Sequence, residues 1–342
     1  MKRIYIYILI GITAASATSC VHKELCYDHN GHAHKYHVMI DADYRYEWEE
    51  NCEDHIDWFG NWPSNYIDYE SLRPCKPSGL RVVNYPKGGG SKTSNIAADG
   101  GVVHFSEGVH DILFYNNDTE YIVMAGTEKF ATTRATTRTR SRASYNGNPY
   151  STKAEEETTV NPPDMLYGNF YHDYEAKRLP EPEVIPVTMH PLVFTYKIRF
   201  EFAKGLEYVA IARGTLAGMA ISVNMSTGET SDEIATILYD CEIKDYGVGA
   251  LVNSFGVPGY PNGNYTKAGN VYAVQLECRM KNGKYKTFDF NVTDQVEKQP
   301  HGGVIVLKGL EVSESEGATS GGAFDVVVDD WGPYEDIELP LM

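Results

Sequence analysis

The chain has 342 residues, which suits about two domains of ordinary size. Its formal charge of −17 argues against nucleic acid and against anionic lipid as binding partners, since both are negatively charged themselves. Tyrosine is the dominant aromatic residue, with 25 copies against 12 Phe and 4 Trp, and this composition favours β-structure.

The first twenty residues have the pattern of a secretory signal. Lys2 and Arg3 precede an apolar run over residues 4–12, and small residues then lead to Cys20. The apolar run is too short to span a bilayer, and a basic start with a small-residue exit is typical of a cleaved leader. The position of Cys20 resembles a bacterial lipobox, in which the cysteine becomes the lipidated N-terminus. We therefore predict a signal peptide at 1–19 and lipidation of Cys20; ordinary secretion, with a plain thiol at this position, is the alternative.

A polar spacer at 20–35 follows the lipid site and is rich in histidine. His32 and His34 are weak metal-ligand candidates, because imidazole binds zinc and copper. A strand that begins near His34 would point His34 and His37 to opposite faces and so separate the two ligands. We therefore prefer a solvated spacer without a bound metal, and we predict no cofactor.

Short strands predicted over 36–130 make up the first domain. Apolar and polar residues alternate over 36–48, which is the pattern of a half-buried strand, and four more short strand candidates follow. The turn-rich stretch between them contains Trp58 and Trp62. Exposed aromatic rings stack on sugars, so both are candidate glycan contacts; the alternative is that these rings fill the core of a small domain.

Residues 131–185 break the strand pattern, and we predict that they cross between two domains, either free or partly folded onto one of them. They begin with a small, polar and cationic tract and continue with several prolines. The arginines of the tract allow two interpretations. They mark a flexible, protease-sensitive linker, or they lie on a strand with a two-residue period and pair with acidic groups. We adopt the linker, in which the protease-sensitive candidates are Arg134, Arg138, Arg140 and Arg142.

The second domain, predicted over 186–342, has the most regular strand pattern. Three unbroken apolar–polar alternations begin near residues 192, 219 and 272, and no amphipathic helix lies between them. Short alternating strands separated by Gly, Asn and Pro turns are typical of antiparallel β-sandwiches. We therefore predict an all-β chain with two such sandwich domains in tandem.

Five cysteines follow the lipid site, and an oxidising compartment would allow them to form disulfides. The odd number leaves at least one thiol free. We expect one bridge among Cys26, Cys52 and Cys75. Cys241 and Cys278 lie on the apolar faces of their strands, where we expect buried thiols and leave a bridge between them open.

No catalytic pattern is present in the sequence. There is no nucleophile elbow, no HExxH motif and no Cys–His signature. The tract at 88–93 lacks the Gly directly before Lys92 that a phosphate loop needs. We therefore predict that the protein is not an enzyme.

Six stretches taken together resemble a lipoprotein family of gut anaerobes that is related to the fimbrillin-type proteins, and especially to the FimB-like anchor subunits of type V pili. The stretches span nearly the whole chain after the signal and are residues 20–27, 131–144, 162–168, 190–200, 211–220 and 288–294. The resemblance implies tandem transthyretin-like β-sandwiches, a lipid anchor in the outer membrane, a cell-surface location and fimbrial subunits as partners by strand exchange.

The resemblance also implies a place in the fibre. In such pili a stalk subunit loses its first strand to a protease that cuts after Arg or Lys, and a neighbour's strand fills the groove. Here the arginine tract lies between the domains, where cleavage would separate the two halves. This departure favours a fimbrial anchor or assembly subunit over a stalk subunit. Residues 331–342 are then a candidate strand donor or docking segment, with a terminal edge strand as the alternative. The alternative function is a surface lipoprotein that binds glycan or peptide.

Overall fold

The computed structural model describes residues 36–46, 74–150, 157–179, 181–262 and 271–318, together with Trp331 and the backbone of 336–337. Regular structure in these ranges is almost entirely β, which confirms the predicted fold class. None of the helices described is both long and apolar enough to cross a membrane. The strands are β1 His37–Tyr44, β2 Gly79–Pro86, β3 Lys92–Ala97, β4 Gly100–His104, β5 Gly108–Asn116, β6 Ile122–Ala125, β7 Arg134–Thr137, β8 Thr139–Arg140, β9 Thr159–Val160, β10 Tyr167–Ala176, β11 Glu183–Pro191, β12 Phe194–Lys204, β13 Val209–Ala220, β14 Ser222–Asn224, β15 Ile234–Lys244, β16 Gly247–Ser254, β17 Ala273–Met280, β18 Tyr285–Asn291, β19 Gly303–Glu311 and β20 Asp336–Ile337, and the helices are α1 Thr293–Val296 and α2 Glu314–Gly317.

Seven strands of the first unit form a sheet that closes on itself, in the order β1-β11-β10-β5-β2-β3-β4 and back to β1. The β1–β11 pair is parallel and its neighbours are antiparallel. The alternation predicted for β1 is confirmed, because Val38, Ile40, Ala42 and Tyr44 are buried while the residues between them are partly or fully exposed. These four side chains pack into the core that the closed sheet encloses.

The second unit consists of two sheet layers that pack face to face. One layer runs β18-β17-β13-β15 and the other β15-β16-β12-β19. β15 belongs to both layers, because its first part pairs with β13 and residues 242–244 pair with β16. Tyr196 and Phe200 of β12 meet Leu216 of β13 and Leu276 of β17 in one buried core. This is the sandwich that the sequence predicts, with two parallel pairs, β12–β19 and β9–β15, among its described strands.

Residues 131–185, predicted to cross between domains, carry strands of their own. β7 lies between β6 and β14, β8 and β9 extend the second unit, and β10 lies in the first sheet. The linker interpretation of the arginine tract is therefore wrong, because backbone pairing holds the tract in place. β11 runs across the predicted boundary at 185–186 and pairs with β1 through Met189. Sheet pairing therefore puts the change of unit after Pro191.

A third buried cluster joins the two units. It contains Leu113 of β5 and Tyr85 of β2, from the outer face of the first sheet, together with Val223 and Phe255 of the second unit. Ile112, the residue before Leu113, points the other way into the core of the closed sheet. The two units therefore share apolar contacts in addition to the chain that connects them.

The two cysteines of the second unit cannot form the bridge that the sequence leaves open. Cys241 and Cys278 lie opposite Ala212 on either side of β13. Adjacent strands are about 4.8 Å apart, so these Cα atoms are separated by about 9.6 Å. A disulfide requires roughly 7 Å or less between Cα atoms. Both thiols are free, as is the exposed Cys75; a bridge between Cys26 and Cys52, which lie outside the described residues, stays a prediction.

Thiol reactivity should distinguish the exposed Cys75 from Cys241 and Cys278. Burial raises the pKa of the Cys278 thiol to about 12 and also raises the pKa of Cys241, so neither forms the reactive thiolate at neutral pH. We expect Ellman's reagent to modify Cys75 in the folded protein and Cys241 and Cys278 only after unfolding, as mapped by peptide mass spectrometry. Rapid labelling of Cys278 in the folded protein would contradict this burial.

Candidate functional site at the C-terminal strand

The C-terminal strand lies at the edge of a small ladder on the second unit. β20 pairs antiparallel with β8, with Asp336 opposite Arg140 and Ile337 opposite Thr139. The other side of β8 pairs with β9, and β9 in turn runs parallel to β15. Three two-residue strands therefore extend this sheet outwards. We call β8, β9 and β20, together with Trp331, the docking seam. Of the two alternatives for residues 331–342, the described pair 336–337 forms the terminal edge strand.

A buried ion pair lies beneath the docking seam. Arg213 of β13 and Glu277 of β17 are opposite each other in the sheet, and both side chains are 1% exposed. The Arg213 Nε and Nη2 groups donate to Glu277 Oε1 at 2.8 and 2.5 Å. Ser144 supplies further acceptors, because its Oγ and its carbonyl oxygen both bind the guanidinium group. The charge is thus paired and hydrogen-bonded, as a buried charge must be.

Two aromatic rings enclose the same guanidinium group. The Arg213 Cζ atom lies 3.8 Å from the ring centroid of Tyr145 and 3.8 Å from that of Trp331. A cation over an aromatic face contributes about 2 kcal/mol when both groups are removed from water. Trp331 precedes β20 by only five positions. The ring therefore holds the C-terminal segment against the sheet next to the short ladder.

Arg140 and Arg142 hold the crossing segment on the same sheet. Arg140 is 6% exposed, and its Nη1 group donates to the Leu238 carbonyl oxygen at 3.0 Å. Its Nη2 atom lies 3.4 Å from Asp240 Oδ2. Arg142 lies 3.4 Å from the buried Glu157 carboxylate. The alternative in which these arginines pair with acidic groups is therefore the one that the structure contains.

The other two arginines of the tract are also in ordered backbone. Arg134 opens β7, where it is opposite Ala125 on one side and Asn224 on the other. The Arg138 N–H donates to the Tyr121 carbonyl oxygen at 3.0 Å, and its own carbonyl oxygen accepts from the Asn161 N–H at 2.9 Å. None of the four lies in a free loop.

This geometry predicts how the tract responds to trypsin. A protease must draw an extended backbone and the arginine side chain into its active site, and Arg140 and Arg142 are held by buried contacts. We expect limited trypsin digestion to leave the bonds after Arg140 and Arg142 intact while Lys284, in the exposed β17–β18 turn, is cut. Early appearance of fragments produced by cleavage after Arg140 or Arg142 would contradict this prediction. The urea-unfolded chain, in which all these bonds should be cleaved, is the control.

The remaining predicted site residues lie outside the described part of the chain. They are Cys20, His32, His34, Trp58 and Trp62. Within the described residues, no group of three or more His, Cys, Asp or Glu side chains is arranged to hold a metal ion.

Sequence analysis missed the ion pair beneath the docking seam, although a signal for it exists. Arg213 is the one charged residue of β13, whereas β17 contains Glu277 and Arg279. A lone charge in an apolar strand predicts a buried pair if a neighbouring strand supplies a charge of opposite sign. The sequence does not state the order of the strands, and so it does not show that β13 and β17 are neighbours.

Comparison with known proteins identifies the family. Residues 65–240, slightly more than half of the chain, match the family model described as Domain of unknown function (DUF5119). The chain belongs to the DUF5119 family. A candidate fimbrium anchoring subunit of Bacteroides ovatus, Fim4B, is 28% identical over 192 residues, which is 55% of this chain and 55% of that relative. This DUF5119 chain thus matches about half the length of its curated relative.

One solved structure shares the fold of this DUF5119 protein, and a second is more distantly similar. A candidate adhesin from Bacteroides ovatus matches with a TM-score of 0.54 at 19% identity, covering 84% of this chain and 93% of that one. The fimbrial anchor protein Mfa2 from Porphyromonas gingivalis matches with a TM-score of 0.41 at 11% identity, over 80% and 90% of the two chains. The first match supports the two-unit β architecture, and the second is too distant to add to it.

Proposed function

We propose that this DUF5119 protein is an anchor or assembly subunit of a surface fimbria, joined to its neighbours by β-strand addition. Its role is structural rather than enzymatic. The similarity to the fimbrium anchoring subunit from Bacteroides ovatus supports the fimbrial part of the proposal. The observation that carries the strand-addition part is β20, a terminal strand at a sheet edge.

The ladder between β20 and β8 is short, and this favours exchange. It contains two residue pairs, and each backbone hydrogen bond contributes only about 0.5–1.5 kcal/mol net. Among the described residues, Trp331 adds contacts to Arg213 and to the Tyr285 ring. A longer strand from a neighbouring subunit could replace such a ladder with a gain in main-chain hydrogen bonds. Equally, the segment released from this edge could add to a neighbour's sheet.

The proposal places the protein at the outer membrane through a lipid on Cys20. The chain is too acidic to bind an anionic bilayer through a basic face, so attachment would rest on the acyl chains. The polar stretch at 20–35 would then separate the folded units from the lipid surface.

The first experiment uses cells that display their own fibres. Fibres are sheared off, and the fibre and membrane fractions are run by electrophoresis before and after heating and probed for this protein. We expect a high-mass ladder that collapses to monomer on heating, which is the behaviour of subunits linked by stable non-covalent pairing. A lone membrane-bound monomer in cells that carry fibres would overturn the proposal.

Three variants divide the proposal into its parts. Deletion of 331–342 should abolish the high-mass ladder, whereas Trp331→Phe, which keeps an aromatic ring over Arg213, should retain it. A ladder that survives the deletion would exclude this segment as the exchanged strand. Cys20→Ala should move the protein out of the membrane fraction, and unchanged membrane retention would exclude the lipid anchor.

A further inference from the structure

A polar cavity of about 360 Å³ lies on the outer face of the second unit, where its first row of residues is two positions along β13 and β17 from Arg213 and Glu277. Its volume is within the range of roughly 300–1,000 Å³ that is typical of small-molecule sites. The floor consists of two side-chain rows across three neighbouring strands, β13, β17 and β18. One row is Thr215, Gln275 and Asp289, and the next is Ala217, Ala273 and Asn291.

The cavity exists because the second row is small. Residues two positions apart on a strand share a face, so both rows point away from the core, which lies behind Leu216 and Val274. The methyl groups of Ala217 and Ala273 leave a hollow where larger side chains would fill the surface. The chain segment at 148–150 forms one wall.

That wall is held in place before any ligand arrives. The Tyr150 hydroxyl donates to the Val271 carbonyl oxygen at 2.5 Å, and the Tyr150 N–H donates to Glu157 Oε1 at 3.0 Å. Asn148 is fixed as well, because its carbonyl oxygen accepts from Gln275 Nε2 at 3.1 Å and from Arg142. A preformed wall lowers the entropy cost of binding.

Two polar side chains at the cavity floor, Asp289 and Asn291, can form further hydrogen bonds to a ligand. Asp289 Oδ1 accepts from Gln275, while Asp289 Oδ2 has no partner in the described part of the chain. Asn291 Oδ1 accepts from the Thr293 N–H, and the amide N–H groups of Asn291 have no partner among the same residues. The two side chains lie on one face of β18, about 6.7 Å apart along the strand. The cavity thus offers an acceptor and a donor side by side.

We propose that this cavity binds one unit of a neutral glycan. Neighbouring hydroxyls of a sugar ring each donate and accept, and they match a carboxylate beside an amide. The Tyr150 ring adds a flat apolar surface for the C–H face of the sugar. The charge of −17 and the Asp289 carboxylate repel anionic sugars, so acidic glycans are excluded. This inference is independent of the fimbrial role.

The test uses the full-length protein purified from the cells that make it. Methyl glycosides of mannose, galactose, glucose and N-acetylglucosamine are the probes in saturation-transfer NMR, with N-acetylneuraminic acid as the anionic comparison and short neutral peptides as the second class of ligand. We expect saturation transfer to at least one neutral glycoside at millimolar concentration and none to the anionic sugar. Transfer to no neutral glycoside, or to peptides alone, would overturn the proposal.

Three variants locate the binding. Asp289→Ala should raise the Kd about tenfold, because it removes a charged acceptor, and Ala273→Leu should abolish binding by filling the hollow. Asp232→Ala removes an exposed carboxylate outside the cavity and should leave the Kd unchanged. Binding that is unaffected by Asp289→Ala would overturn the assignment, and this variant stands alone if Ala273→Leu fails to fold, since Asp289 is exposed.

Discussion

The substitution Glu277→Ala is expected to lower the free energy of unfolding by about 3–5 kcal/mol, because it leaves the Arg213 guanidinium buried without its counter-charge. Arg213 cannot regain water by rotating outwards, since Tyr145 and Trp331 cover both of its faces. Urea denaturation followed by circular dichroism measures the change. A loss below about 1 kcal/mol, the value of an exposed pair, would show that the pair is hydrated.

Two controls distinguish a buried charge from a lost contact. In the exposed pair of Glu242 and Lys244, the side chains are 75% and 45% exposed, so Glu242→Ala should change stability by less than about 1 kcal/mol. The double variant Arg213→Met/Glu277→Leu removes both charges together and should recover most of the stability lost in Glu277→Ala. Failure of the double variant to recover any stability would assign the loss to packing instead.

The substitution Leu113→Ala is expected to cost roughly 2–5 kcal/mol and to uncouple the two units. Leu113 is fully buried in the cluster that joins the first sheet to Val223 and Phe255 of the second unit. Because the units share this cluster, we expect the unchanged protein to unfold in a single transition in calorimetry. Leu113→Ala should divide it into two. A single transition in the variant would contradict the coupling role of the cluster.

Ile112→Ala is the matched control for that experiment. Ile112 is the adjacent residue on β5, is equally buried, and faces the core of the closed sheet instead. Its truncation should cost a similar roughly 2–5 kcal/mol in the first unit. It should leave the cluster between the units intact. The two variants should therefore differ in the number of unfolding transitions, and not in how much free energy of unfolding they lose.

Strand periodicity predicted much of the fold. The alternations over 36–44 and from residue 194 onwards appear as β1 and β12, each with its apolar side chains inside. The tract at 131–144 was assigned to a linker because it has no apolar period. In the structure Arg140 and Thr136 help to hold its short strands, because they donate to the Leu238 and Ile221 carbonyl oxygens of the second unit. The lack of an apolar period therefore does not imply an absence of structure.

The candidate sites, like the fold, could be predicted from the sequence only in part. Residues 331–342 could be recognised from the sequence as an extended terminal segment, and the described pair 336–337 is an edge strand. The ring of Trp331 over Arg213 could not be recognised, because the two residues are far apart in the chain. The glycan cavity is equally non-local, since Thr215, Gln275 and Asp289 come from three strands and form a row only through their register.

The sequence by itself determined that this is an all-β chain, because the two-residue period of a half-buried strand is a local property of neighbouring residues. Only the tertiary structure decided which strands are partners: that the first sheet closes through β1, that β8 receives the C-terminal strand, and that Arg213 meets Glu277. The physical reason is that strand pairing brings together backbone groups distant in sequence, and the same alternating pattern is compatible with many orders and registers. Burial of the shared cores selects among them, and the docking seam and the cavity are consequences of that selection.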